Sequence, residues 1–178
     1  MFYHQYSLLC VLFLISCAKS HFSKETQSEL IRLSDDANRF FAEYSLKPED
    51  DPSVSQDLNR FDSIRTRRLK ELLGDHAWFS KESVGVKGLE AAVYLLRITS
   101  DQELRKRALP EVEKQARNGE IAKMHYAFLL DHIRMIDGLP LVYGTIVREV
   151  DGKRIPYPTE DSLNLNKRRI EVGLEPFE

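Results

Sequence analysis

The chain has 178 residues, of which 42% are hydrophobic and 30% charged, with 26 Lys and Arg against 28 Asp and Glu and a formal net charge of −2. That length falls within the usual size of one domain and suffices to bury a substantial core. The near balance of charge lacks the basic excess of a nucleic-acid partner, and the two cysteines leave little room for a disulfide framework.

The apolar run Ser7–Ile15 is far shorter than the roughly 20 residues a helix needs to cross a bilayer. Its position ahead of a polar, helix-patterned body matches the apolar core of an export signal, although the preceding "MFYHQY" holds no Lys or Arg. The tetrapeptide "LISC", Leu14 to Cys17, resembles the lipobox of bacterial lipoproteins. The resemblance implies that Cys17 receives diacylglycerol and becomes the new N-terminus after cleavage. Residues 1–16 are then the signal and 17–23 the lipidated Cys and tether. The expected location is the bacterial cell envelope, lipid-anchored, at the outer membrane facing the periplasm. Cys10 would leave with the signal, so the mature domain has no free thiol and no disulfide.

Residues 24–178 form the domain. Apolar residues at Leu30, Leu33, Ala37, Phe40, Phe41 and Tyr44 mark one face of a first helix, ended by the acidic, proline-bearing loop "SLKPEDDPS". A second helix, about 55–73, is expected to bury Leu58, Phe61, Ile64, Leu69 and Leu72, with Gly74 as its C-terminal cap. Trp78-Phe79 lies in a connector and reads either as a core plug or as an exposed anchor for a partner. A third helix spans about 86–98. "SDQE" then predicts a capping box, Ser100 as cap and Glu103 reaching back, opening a fourth helix that Asn118-Gly119 ends. The fifth helix, about 120–136, is expected to bury Ile121, Met124, Phe128, Leu129 and Ile136. Beyond it, residues 141–157 are rich in β-branched side chains around Asp151-Gly152, which predicts a β-hairpin. A short last helix, about 163–172, ends at Gly173. The predicted fold is mainly α, a single-domain bundle of five to six helices with one C-terminal hairpin.

A set of ordered motifs runs through the last two-thirds: "SVG" at Ser83–Gly85, "DQ" at Asp101-Gln102, "NGE" at Asn118–Glu120, "LLDHIRMIDG" at Leu129–Gly138, "YGT" at Tyr143–Thr145 and "RRIEVGLEPF" at Arg168–Phe177. Their order and spacing resemble an uncharacterised bacterial family, a domain of unknown function. The resemblance implies a helical domain with a hairpin and supplies no established activity. In the family pattern a His stands near the end of the third helix and Gln flanks the tyrosine motif on both sides. This chain has "RITS", Leu141 and Ile146 there.

No nucleophile elbow, phosphate loop or "HExxH" zinc motif occurs. His125 and His132 are seven apart on one helix, about 10 Å along the axis, and the residue between them that could complete a metal site is Leu129. No metal and no cofactor is expected. Asp131 and Arg134 are spaced to pair, with Tyr143 and Thr145 within reach beyond Gly138. One reading is a buried polar clamp joining hairpin to helix. The other is a hydrolase-like pocket around Asp131, His132, Arg134 and Tyr143, in which Arg134 binds an anion and Asp131 or Tyr143 moves a proton. The basic runs "RTRR", Arg65–Arg68, and "KRR", Lys167–Arg169, read as solvated faces or as attraction to anionic headgroups. The function expected from the whole is a non-enzymatic binding or interaction module of the envelope, with Trp78 and Thr145 as candidate contacts. One version is an immunity-like protein acting on an incoming toxin.

Overall fold

The computed structural model describes residues 23–48, 51 and 53–177. The signal, Cys17 and most of the tether lie outside them. In chain order the elements are α1 (Lys24–Tyr44), α2 (Ser53–Leu73), α3 (Lys81–Ile98), α4 (Gln102–Arg117), α5 (Lys123–Ile136), β1 (Val147–Val150), β2 (Lys153–Pro156), a 3-10 turn (Ser162–Asn164) and α6 (Leu165–Glu171). The fold is mainly α with one antiparallel hairpin near its end, as the sequence predicts.

α3 is the centre of the bundle, packing on α1, α2, α4 and α5. Its sequence explains this: Leu89, Ala91, Ala92, Val93, Leu95 and Leu96 are all buried, so the helix is apolar on several faces rather than along one stripe. Leu30, Leu33 and Ala37 of α1, and Leu69 and Leu73 of α2, complete the core from one side. Leu104, Ala108 and Val112 of α4 and Leu129 and Ile133 of α5 complete it from the other. Each fully buried leucine contributes about 1.5–3 kcal/mol. No helix among the described residues is long and apolar enough to cross a membrane.

Several expectations are corrected. α3 begins at Lys81, because Ser80 and Ser83 form a reciprocal capping box; a break at Gly85, φ +67°, separates this first turn from the rest. α4 is capped by Asp101, whose side chain accepts from Leu104 N at 2.8 Å. Ser100 is instead drawn toward α2, where its N–H and hydroxyl both donate to Asp62. α5 starts at Lys123 without a side-chain cap. Ile64 and Ile136 are 49% and 50% exposed, while Arg65 occupies the inward position of α2 at 3%. Trp78 is 6% exposed and packs edge-to-face on Phe79, so it plugs the core and offers no free anchor.

The hairpin is shorter than predicted. β1 pairs with β2 from Val147↔Pro156 to Val150↔Lys153. Asp151 and Gly152 both have positive φ, +52° and +73°, the backbone of a tight turn matched to strand twist. Residues 142–145 belong to neither strand, because other groups take their polar atoms, while Leu141 forms an isolated bridge with Thr159 and Ile146 O accepts from Tyr157 N.

Candidate functional site

The loop Pro140–Ile146 joins α5 to the hairpin, and charged side chains from both neighbouring helices hold its backbone. Asp131, in the third turn of α5, is fully buried. Its Oδ1 accepts from Val142 N (2.7 Å) and Tyr143 N (3.1 Å). Its Oδ2 accepts from Thr145 N (2.8 Å), from Thr145 Oγ1 (3.0 Å) and, at 3.2 Å, from Tyr143 N again. A buried carboxylate needs such partners, since unpaired it is costly to remove from water. Successive N–H groups converge on it because Gly144 takes φ +60°, which folds the loop into an anion-binding concavity. A Cβ at Gly144 would also meet Pro156 Cβ at 3.2 Å and Phe177 Cε2 at 3.3 Å.

The carbonyls of the same loop face cations. Arg168 Nε donates to Val142 O at 2.7 Å. Arg169 Nη1 donates to Tyr143 O (2.8 Å) and Gly144 O (3.2 Å), and its Nε donates to Glu175 O at 2.6 Å. The Arg169 guanidinium lies 4.0 Å from the centre of the Phe177 ring, which ties the C-terminal tail to the loop. Arg134 Nε donates to Pro140 O at 2.6 Å and its Nη2 to Glu160. The loop therefore presents N–H groups to an anion on one side and C=O groups to three arginines on the other.

Two expectations fail against this geometry. Asp131 and Arg134 do not pair: the carboxylate turns to the backbone of residues 142–145 and the guanidinium to Pro140 and Glu160. Nor are the basic runs simply solvated faces. Arg168 and Arg169 are half-buried carbonyl binders, and Arg65 is buried beside Asp62. Sequence reading missed Arg65, Arg105, Arg168 and Arg169 as organising residues. The signal for Arg65 is its place on the apolar stripe Leu58, Phe61, Arg65, Leu69, Leu72.

Asp131 and Thr145 meet through their side chains, but the histidines lie apart from them. Tyr143 is half-buried with its ring edge-to-face on Tyr126, 6.4 Å between centres. Burial and then Asp131 push its hydroxyl above the usual tyrosine range, and burial and Glu113 push Tyr126 up to about 12. His132 faces a different cavity, beside Arg65 and Arg105, and burial followed by Arg105 pulls its imidazole down. His125 is pulled down by burial and then by Arg97, and its Nδ1 is buried without a partner among the described residues. The two histidines have separate surroundings. Among the described residues no group of three or more His, Cys, Asp or Glu is arranged to hold a metal ion. Thr145 spends its hydroxyl on Asp131 and also lines a cleft of about 880 Å³. Phe128, Val147, Ile155, Arg169 and Phe177 form other walls of that cleft, so α5, the held loop, the hairpin and the tail all border it.

These features define a helical domain whose loop before the hairpin and whose C-terminal tail are held by charged side chains bonded to backbone. The chain belongs to a Family of unknown function (DUF6624), whose sequence model matches residues 26–178. No curated protein and no solved structure matches it.

Proposed function

We propose that this chain is a lipid-anchored bacterial envelope protein whose domain is a non-enzymatic binding module. The single observation that carries the binding reading is Asp131: fully buried, with both oxygens occupied by loop donors. A carboxylate so engaged has no free lone pair with which to take a proton from a substrate. Arg134 is turned to Pro140 and Glu160, and His132 opens on another cavity. What the charged groups build is a rigid wall for the 880 Å³ cleft, whose volume and mixed lining suit recognition. The anchor rests on the lipobox resemblance at Cys17, with acyl burial worth about 0.8 kcal/mol per methylene. An immunity-like role is one form this module could take, with the cleft meeting the toxin.

Metabolic labelling with a tagged fatty acid tests the anchor. Parent should label and Cys17→Ala should not; equal labelling refutes it. A photo-crosslinking residue in place of Val147, on the cleft wall, should capture a partner from membranes. Turnover of generic ester or amide substrates by the parent, lost in Asp131→Asn but retained in a core variant of equal stability, would favour the enzyme instead.

A further inference from the structure

A second cavity, of about 380 Å³, opens between α2, the end of α3, α4 and α5, away from the held loop. Its lining includes Arg65 and Arg105, each 3% exposed. Part of each guanidinium serves α3: Arg65 Nη2 donates to Ile98 O at 2.8 Å, and Arg105 Nη2 to Arg97 O at 3.1 Å. Arg105 Nε also donates, to Leu96 O at 3.4 Å. Three other donors of the pair find no partner among the described residues. Arg65 Nε, Arg65 Nη1 and Arg105 Nη1 are buried and have no hydrogen-bond acceptor among the described residues.

Among the described residues Asp62 is the one carboxylate in the lining, and it is already engaged. Its Oδ1 accepts from Arg65 Nη2 at 2.6 Å and from Thr66 Oγ1 at 3.3 Å, and its Oδ2 from Ser100 N and Oγ. The cavity thus carries two guanidiniums against one carboxylate, with His132 alongside. Leaving buried N–H groups unpaired costs their full desolvation. An oxyanion removes that cost, and a planar guanidinium matches a carboxylate or phosphate better than it matches water. Phe41, Leu58, Phe61 and the half-exposed Ile136 supply an apolar part of the same lining.

We propose that this cavity binds a small oxyanion, carboxylate or phosphate ester, carried on an apolar group, with Arg65 and Arg105 holding the anion and Phe41, Leu58, Phe61 and Ile136 the apolar part. This site is independent of the anchor and of the cleft. Arg65→Leu would strip a cap from α3 and confuse binding with folding, so the informative variant is Ile136→Glu, which adds a repelling charge at a half-exposed position.

The test is an NMR titration of the isotope-labelled full chain, following the Arg65 and Arg105 Nε–H signals with benzoate, phenyl phosphate, inorganic phosphate and benzyl alcohol. Benzoate or phenyl phosphate should shift both signals saturably, and the tighter of the two identifies the head group. Inorganic phosphate and benzyl alcohol should each bind at least about tenfold more weakly, and Ile136→Glu should weaken the best probe by about tenfold or more. The proposal falls if neither aromatic anion gives a saturable shift, if benzyl alcohol or inorganic phosphate matches them, or if Ile136→Glu leaves the affinity unchanged.

Discussion

Replacing Asp131 by asparagine isolates what the buried carboxylate does, because shape is kept and only acceptor capacity changes. The carboxylate meets four donors: Val142 N, Tyr143 N, Thr145 N and Thr145 Oγ1. In the best orientation of the substituted side chain, its amide oxygen keeps Val142 and Tyr143, and the Thr145 hydroxyl turns to accept from its NH₂ group. Thr145 N is then left facing an N–H. One orphaned buried donor costs about 1–3 kcal/mol, and the surviving bonds lose their charge assistance, so a total of about 2–4 kcal/mol is expected. That is a large share of the roughly 5–15 kcal/mol that holds a domain together. Asp131→Ala should cost more, since all four donors lose their acceptor. Chemical denaturation followed by far-UV circular dichroism measures both. A loss below about 0.5 kcal/mol for Asp131→Asn would refute the reasoning, since that is the range of surface substitutions away from any structural feature.

Arg169→Met should destabilise by about 2–4 kcal/mol and speed amide exchange in residues 165–177, because three carbonyl bonds and the Phe177 stack go together; Arg169→Lys should not rescue it, as an ammonium lacks the planar fork. Gly144→Ala should cost at least about 1 kcal/mol more than Gly119→Ala, since both need positive φ but only Gly144 has neighbours that a Cβ would crowd. His125 and His132 are both held below their ordinary range by burial, then by Arg97 and Arg105 respectively. The unfolded chain therefore takes up protons first, so stability should fall as pH drops below about 6.5. The double variant His125→Gln, His132→Gln should flatten the slope between about pH 7.5 and 5.5 in denaturation curves, and an unchanged slope would contradict the assignment.

Elements with a clear apolar period are legible in the sequence. α1 and the inward positions Leu30, Leu33 and Ala37 follow from spacing alone, and Asp151-Gly152 fixes the hairpin turn. The errors occur where a distant segment competes for a local signal. Ser100 has the sequence of a cap, but Asp62 of α2 claims its hydroxyl and Asp101 takes over. Residues 141–146 have the β-branched content of a strand, but Asp131 claims the N–H groups of Val142, Tyr143 and Thr145. The ladder is interrupted there, while Leu141 and Ile146 bond to residues 157–160. Ile64 reads as an inward residue because it is apolar. The inward side chain is Arg65, one residue on, which finds two acceptors there.

The same competition explains why the candidate sites are only half visible in the sequence. Two stretches of irregular backbone are enclosed by other elements: the loop after α5 and the carbonyl end of α3, which carries "RITS" and no glycine. Both must find partners from elsewhere in the chain. At the loop, anion and cations divide the backbone between them, and the Asp131 carboxylate has a donor for each oxygen. At the end of α3, Arg105 and Arg65 reach Leu96, Arg97 and Ile98 from 9, 8 and 33 residues away, separations at which no local pattern operates. There donors are left over: a guanidinium brings five N–H donors in a fixed fork, and Arg65 Nε, Arg65 Nη1 and Arg105 Nη1 find no acceptor among the described residues. A matched network gives rigidity, which suits the wall of a cleft. The proposed oxyanion site rests on the opposite case, donors left without an acceptor on side chains that line a cavity, so the two regions differ in hydrogen-bond balance.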